Sequence, residues 1–449
     1  MRRHRQGSSA GASRRTPKTP VLPPDASLRI ERLAHDGRGI ATVNGRITFV
    51  DQALPGETHR VRFVGGKTKF LEAVSVALES EPAVERAAPL CGHYQSCGGC
   101  QLQHLQYSAQ VEFKQALVQD QCRRAGVDAG HFEAPVSAAQ VAYRSRCRLS
   151  INHKGQAFAG FRQKSQTQLI KLQHCPILSP SLESLLESTQ NALAELPADA
   201  LGHLEMIDDT KGVVLILRHV KALDNSAIQR LQQFADEHQL TLLLQPAPES
   251  VYLDLQGLQT LPPLSFELPD LAAGVRYQPQ HFTQVNRPLN QRMVAQALAW
   301  IEPQADQLWL DLFCGVGNFS LPLAQHVKLV VGVEGVPEMV VQASKNATIQ
   351  GLNNCEFFAA DLEVDSIYRK LPKGVHGVIL DPPRAGAKAV VRHLLSVSPR
   401  QILYVSCDPA TFARDAKVLL EGGYRVKRIG ILDMFPQTMH VETMALLEQ

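Results

Sequence analysis

The stretch Gln307-Leu308-Trp309-Leu310-Asp311-Leu312-Phe313-Cys314-Gly315-Val316-Gly317-Asn318-Phe319-Ser320 decides the fold. Its first part is an apolar run of strand length, and its second part is a Gly-x-Gly turn that opens a helix. Glycines at such a turn let backbone approach a ligand closely. A second apolar strand, residues 329–333, follows and runs into Glu334. A carboxylate about 20 residues beyond the turn can hydrogen-bond a ribose diol. A Gly-x-Gly turn by itself leaves open a turn with no ligand; the acid at the end of the next strand favours an adenosyl group. Ser320 stands where a dinucleotide fingerprint has its third glycine, which favours S-adenosylmethionine, with no pyrophosphate to cradle, over a nicotinamide cofactor.

Downstream of this stretch the alternation of strands and helices continues, so residues 277–449 read as an α/β unit with a parallel, Rossmann-like sheet. A strand over 377–380 ends in Asp381-Pro382-Pro383-Arg384, a rigid loop poor in N–H groups beside the expected ligand. Amino-methyltransferases carry an aromatic residue after the prolines to stack the base, so Arg384 argues against methylation of an exocyclic amine. The strand at 402–406 delivers Cys407, followed by Asp408 as N-cap and Pro409 as first helical residue. A thiol at that place is expected to have a lowered pKa; a buried inert cysteine is the competing reading. Near the C-terminus, His440-Val441-Glu442-Thr443-Met444 places Glu442 among apolar residues, as a base or as a paired structural acid.

A cysteine beside a methyl donor points to pyrimidine C5 chemistry. C5 of uracil is a poor nucleophile until a thiolate adds at C6. The adduct must then lose its C5 proton, which requires a base, and Glu442 is the best candidate.

Upstream, residues 83–276 read as a central α+β region and residues 25–82 as a small β-barrel. In the latter, short strands are separated by Asp36-Gly37, Asn44-Gly45, Pro55-Gly56 and Gly65-Gly66. Residues 1–24 read as a disordered basic tail, either solubilising or attracted to phosphates. Six positive charges in residues 1–20 exceed the whole net charge of +3, so the rest of the chain is slightly acidic and net charge alone does not argue for nucleic acid. Residues 141–171 contain no acid but seven basic residues, and Arg144, Arg146 and Arg148 alternate along a strand. At period two they share a face, read as a polyanion groove in preference to a solvated surface.

Composition excludes the other broad classes. The 449 residues are 44% hydrophobic and 20% charged, an ordinary globular mixture. No apolar run reaches membrane-spanning length, and no signal-like segment follows the Arg-rich start, so a cytoplasmic location is expected. The nine cysteines are then expected to be reduced, and their clustering suggests metal or catalysis. By spacing alone, Cys91, Cys97, Cys100 and the distant Cys175 leave zinc and a [4Fe–4S] cluster open.

The motifs Asp311–Ser320, Asp381-Pro-Pro-Arg384, Ser406-Cys-Asp-Pro409 and His440-Val-Glu-Thr443 resemble those of the bacterial RNA (uracil-C5)-methyltransferases, over nearly the whole chain. The resemblance implies a nucleophile at Cys407 and a general base at Glu442. It implies S-adenosylmethionine contacts at Gln284, Phe313, Asn318, Glu334, Asp361 and Asp381. It also implies that the barrel is a TRAM (OB-like) RNA-binding domain and that the four cysteines hold an iron–sulfur cluster. Residues 103–135 are expected to pack with the methyltransferase domain. Having both barrel and cluster favours the branch that acts on a 23S rRNA uridine. The same chemistry on another rRNA or tRNA uridine, and a non-catalytic RNA-binding assembly factor, are the alternatives. A monomer with no protein partner is expected.

Overall fold

A computed structural model of the chain describes residues 22–164, 166–246, 251–260, 264–364, 367–368 and 371–449. Most of the basic tail expected over 1–24 lies outside the described residues. The chain divides into two compact units, Met1–Arg86 and Ala87–Gln449.

In the first unit, six strands form one sheet in the order Ala26–Arg29, Thr58–Lys67, Phe70–Leu78, Arg46–Asp51, Gly39–Val43, Arg32–Leu33. The two edge strands are halves of one bent segment. At the bend, Ile30 N–H donates to Glu57 O and Glu31 N–H to Ile40 O, which closes the sheet into a barrel. Asn44 and Gly45 both have positive φ, +48° and +71°, the backbone that a tight two-residue hairpin needs. Alternate residues, among them Ile30, Val50, Val61, Phe63 and Leu71, fill the interior. Glu57 is fully buried and accepts from Leu54 N–H, Ala83 N–H and the Arg86 guanidinium, pinning the end of the unit to the barrel. Burial opposes its charge, but the bonds from Arg86, His59 and the backbone win and hold it down at about 2.

The second unit carries two large sheets. One has the order Thr241–Gln245, Gly212–His219, Leu201–Asp209, Arg146–Ile151, Ala159–Arg162, Leu169–Lys171. The other holds the Gly-x-Gly turn. Its strands are β1 (Leu308–Leu312), β2 (Leu329–Glu334), β3 (Cys355–Ala359), β4 (Gly377–Leu380), β5 (Gln401–Ser406), β6 (Arg425–Leu432) and β7 (Glu442–Glu448). Their order is β3-β2-β1-β4-β5-β7-β6; the first five are parallel, and β7 runs antiparallel to both neighbours. Alternate residues enter cores on opposite faces. Trp309, Val330, Ile379 and Leu403 enter one, and Leu310, Val331, Val378 and Ile402 the other. The first core is continuous with Ile207, Val214 and Ile216 of the other sheet, so those two layers share apolar packing. The helix Tyr107–Ala125 contributes Val118 and Cys122 to the second core, where the helix Pro409–Glu421 also packs. Among the described residues no helix is long and apolar enough to cross a membrane.

Candidate active site

The parallel order places the carboxyl ends of β1, β2, β4 and β5 along one edge of the sheet. The antiparallel β7 brings its amino end to that same edge. Open α/β sheets bind ligands there, at the switch point between β1 and β4. Phe313 and Gly315 follow β1, Glu334 ends β2, Asp381 follows β4, Cys407 follows β5 and Glu442 begins β7.

The turn after β1 is built for close approach. Phe313, Gly315 and Gly317 have φ of +68°, +57° and +101°. Phe313 is not glycine, and a residue held in that region marks a spot where the surroundings over-determine the backbone. Phe313 N–H and Cys314 N–H both donate to Val333 O, at 2.8 and 3.2 Å. Glu334 closes the turn from the other side: its Oε2 accepts from Gly315 N–H at 3.1 Å, and its Oε1 accepts from Val336 N–H at 3.0 Å. Asn318 exchanges reciprocal amide bonds with Asn290, at 2.8 and 3.1 Å, on the helix Arg287–Ile301. Gln284 is half-buried in the stretch 282–286, which Ser145 holds through two bonds to Val285 O. Asp361 is exposed beyond β3, and its Oδ1 accepts from Glu363 N–H.

Asp311 was quoted in the motif but given no role by sequence. It is fully buried; its Oδ2 accepts from the Ser320 hydroxyl at 2.5 Å, and its Oδ1 has no hydrogen-bond partner. Burial pushes its carboxyl up to about 7, and Asp381 is pushed up to about 7 as well, by burial and by Asp311. An acidic edge with an orphaned buried oxygen fits a cationic ligand such as S-adenosylmethionine.

The β5–β7 register pairs Ser406 with Thr443, so the next step along each chain sets Cys407 beside Glu442. Glu442 is also paired with Leu432 of β6 and is only 5% exposed. Burial, with a further push from Asp381, holds its carboxyl well above the usual range. Cys407 is half-buried and therefore reachable. Its thiol is pushed up to about 11 by burial, then by Glu442; Arg384 pulls the other way, and Asp381 adds to the rise. This corrects the expectation of a lowered thiol pKa. The helix N-terminus is already taken: Asp408 accepts from Ala410 N–H and Thr411 N–H at 3.0 and 2.9 Å, so its carboxylate answers the partial positive charge. Arg384 is a cation of the site. It acts on Cys407, Glu442 and His440, and its guanidinium stands 3.5 Å from His440 Nδ1. Sequence reasoning used Arg384 only to argue against amine chemistry, although its place after Asp381-Pro-Pro was the signal.

The basic strand departs from expectation. Cys147, Leu149 and Ile151 point into the core, and Arg146 and Arg148 point the other way, as period two requires. But Arg146 is mostly buried, ion-paired with Glu205 at 2.7 Å, and donates to Pro279 O and His281 O. Glu205 on the neighbouring strand supplies the counter-charge, so no external anion is needed at Arg146, and it is not a free RNA-binding residue. Arg144 lies before the strand and donates to Arg146 O, while Arg148 is exposed, with His203 at 3.0 Å.

Burial pushes Cys100 to about 11 and Cys175 to about 12, and neighbouring thiols add to the rise: Cys97 and Cys91 act on Cys100, and Cys100 and Cys91 act on Cys175. Among the described residues, no three His, Cys, Asp or Glu side chains already converge as a ligand set, so the thiols are neighbours and not a closed cage. Gly99 N–H donates to Cys97 Sγ at 3.4 Å.

Residues 106–449 match the family described as tRNA (Uracil-5-)-methyltransferase, and residues 27–76 match the TRAM domain. The chain is 39% identical over 428 residues to the 23S rRNA (uracil(1939)-C(5))-methyltransferase RlmD of Vibrio vulnificus strain CMCP6, covering 94% of this chain and 95% of that protein. It is 42% identical over 429 residues to the RlmD of Pseudomonas aeruginosa strain UCBPP-PA14, covering 94% and 93%. The chain belongs to the RNA (uracil-C5)-methyltransferase family. The family's fold is also met in a solved structure, the tRNA (uracil-54, C5)-methyltransferase of Pyrococcus abyssi in complex with S-adenosyl-L-homocysteine. The TM-score is 0.71 at 24% identity, covering 94% of this chain and all of that one. Membership in this family makes the chain an S-adenosylmethionine-dependent methyltransferase, and the match over residues 27–76 gives it an N-terminal TRAM domain.

Proposed function

We propose that the chain methylates C5 of a uridine in 23S rRNA, with Cys407 as nucleophile and Glu442 as base. The reading is carried by the β5–β7 register that sets those two side chains side by side at the sheet's ligand-binding edge. The 23S rRNA substrate is the one named for the relatives at about 40% identity over nearly their whole length. S-adenosylmethionine supplies an electrophilic methyl group. Glu334, Phe313, Asn318, Gln284, Asp361 and Asp381 are the residues proposed to hold it, and the acidic edge formed by Asp311, Glu334 and Asp381 suits its positive charge.

Cys407 gives its proton to solvent and its sulfur bonds to C6 of the uracil as the C5–C6 π pair shifts toward the C4 carbonyl, which makes C5 enolate-like. C5 takes the methyl group as the methyl–sulfonium bond breaks and S-adenosylhomocysteine leaves, and it then carries both methyl and hydrogen. Glu442 removes that hydrogen as a proton, the C5–C6 double bond re-forms, and the C6–S bond breaks to release thiolate. Two charges cannot readily coexist in this buried pair, so the Arg384 cation is what permits Cys407 to ionise beside Glu442. A carboxylate held above its usual pKa is a stronger base once ionised, which suits the removal of a carbon-bound proton.

Cys91, Cys97, Cys100 and Cys175 are proposed to hold a [4Fe–4S] cluster. Four neighbouring thiols, two buried and two half-buried, are the donor set such a cluster needs, and its binding would draw them into a closed cage. Arg148 is proposed to contact RNA phosphate, and the TRAM barrel supports RNA binding.

The experiment is Glu442→Gln with unmodified uridine RNA and labelled S-adenosylmethionine. Gln is nearly isosteric and cannot take the C5 proton. A methylated protein–RNA adduct that survives denaturing electrophoresis is expected, and Cys407→Ala in the same background should erase it. Normal turnover by Glu442→Gln, or a folded, cofactor-bound but inert protein with no adduct, would remove Glu442 as the base.

A further inference from the structure

Gln437 lies in the stretch that joins β6 to β7, five residues before Glu442. It is 3% exposed, and its backbone has φ of +69°, a conformation that a non-glycine residue keeps only when its surroundings impose it. Those surroundings are a set of bonds from two directions. Gln437 N–H donates to Gln110 Oε1 at 3.0 Å, and Gln437 Oε1 accepts from Gln110 Nε2 at 3.0 Å, both from the helix Tyr107–Ala125. On the other side, Gln437 O accepts from the backbone N–H groups of Gln101 and Leu102, at 3.1 and 3.0 Å. Two residues on, Met439 N–H donates to Gln101 Oε1 at 3.4 Å.

Gln101 is itself anchored. Its carbonyl accepts from the Tyr94 hydroxyl at 2.6 Å, and its Nε2 donates to Gly98 O at 2.8 Å. Gly98 N–H in turn donates to Arg162 O of the neighbouring sheet. The loop 97–102, which carries Cys97 and Cys100, therefore grips the chain that delivers His440 and Glu442. Because Glu442 is the first residue of β7, its place beside Cys407 depends on how the incoming stretch is held.

We propose that Gln101 and Gln437 are positioning residues for the proton-removal step: the cysteine-bearing loop sets, through them, where Glu442 stands relative to Cys407. The proposal rests on the reading of Glu442 as the base. It gives the loop a mechanical role in catalysis in addition to any it has in holding a cluster.

Two variants of the full chain, prepared with its metal content intact, test it. Gln101→Ala removes the acceptor for Met439 N–H. Gln437→Gly deletes the side-chain amide and leaves a residue at ease with positive φ, so the backbone is not strained by the change. Hydrogen exchange at residues 438–442 should rise about tenfold in either variant, the loss expected for one buried hydrogen bond, with exchange in β1 and β2 unchanged. With uridine RNA, both variants should lose turnover by about tenfold at unchanged RNA KM and accumulate the methylated adduct that Glu442→Gln traps. A residue with a merely structural role would lower turnover without that adduct. Wild-type exchange at 438–442 overturns the proposal, as does lost turnover without adduct when Glu442→Gln run alongside does trap it. If Glu442→Gln itself traps nothing, the base reading fails separately, and the exchange rates alone decide whether the loop positions this stretch.

Discussion

Alkylation of Cys407 by iodoacetamide, followed site by site as the mass of the peptide that contains it, reads the electrostatics of the site directly. The thiol is pushed up to about 11 in the free protein. An ordinary cysteine sits near 8.5, so at pH 7 the thiolate fraction of Cys407 is lower by a factor of roughly 300. A more basic thiolate is intrinsically more nucleophilic, by about 10- to 20-fold over that pKa difference. The net expectation is a rate some 20-fold below that of an unperturbed cysteine at pH 7, rising about tenfold per pH unit without a plateau below pH 10. The neighbours move the rate in opposite directions. Glu442→Gln removes a negative neighbour, which lowers the thiol pKa and speeds alkylation. Arg384→Gln removes the cation, which raises it and slows alkylation. A plateau near pH 8, or the same direction of change in both variants, would refute the electrostatic account of Cys407, Arg384 and Glu442.

The remaining predictions concern RNA, metal and the barrel. Arg148→Gln should weaken RNA binding and lower the salt slope by about 0.7–0.9, the loss of one phosphate contact, as measured by RNA titration across salt concentrations. Arg146→Gln should leave that slope in place and lower the melting temperature, because its guanidinium is committed to Glu205 and two carbonyls. Anaerobically purified protein should contain about four irons per chain, and Cys97→Ser should lose them; stoichiometric zinc without iron in metal analysis would overturn the cluster. The barrel should lose stability as pH falls from the ordinary glutamate range toward about 2, since Glu57 is held down in the folded state and its contribution is present above that range. Glu57→Gln, followed by acid titration of near-UV circular dichroism on the full chain, should flatten that loss.

The parts of this molecule that were legible in sequence are those set by local pattern. Residues 377–380 and 39–43 alternate or run apolar between turn residues, and the strands lie at those bounds. The hairpin at Asn44-Gly45 was fixed by two residues that tolerate positive φ. The apolar spacing over 182–196 reads as a single amphipathic helix, whereas the structure has two, Pro180–Glu183 and Leu186–Ala194. There the Ser184 hydroxyl bonds Ser181 O and the Ser188 hydroxyl bonds Leu185 O, side-chain bonds that compete with helix continuation. What sequence reasoning missed depended on partners far along the chain. Glu205, 59 residues from Arg146, supplies a counter-charge that no local pattern announces. Cys407 and Glu442 are 35 positions apart in sequence and meet only because β7 inserts antiparallel between β5 and β6. Their types and motifs were readable; the raised proton affinities were not, since these follow from burial and from carboxylates that the fold brings together, Glu442 and Asp381 on Cys407 and Asp381 on Glu442.

The most direct measurement is mass-spectrometric mapping of 5-methyluridine in 23S rRNA from cells that lack this gene, complemented with wild-type chain or with Cys407→Ala. The account predicts that one 5-methyluridine disappears from 23S rRNA, returns with the wild-type chain and does not return with Cys407→Ala. An unchanged 23S rRNA methylation map in the deletion strain, or restoration by Cys407→Ala, would contradict it.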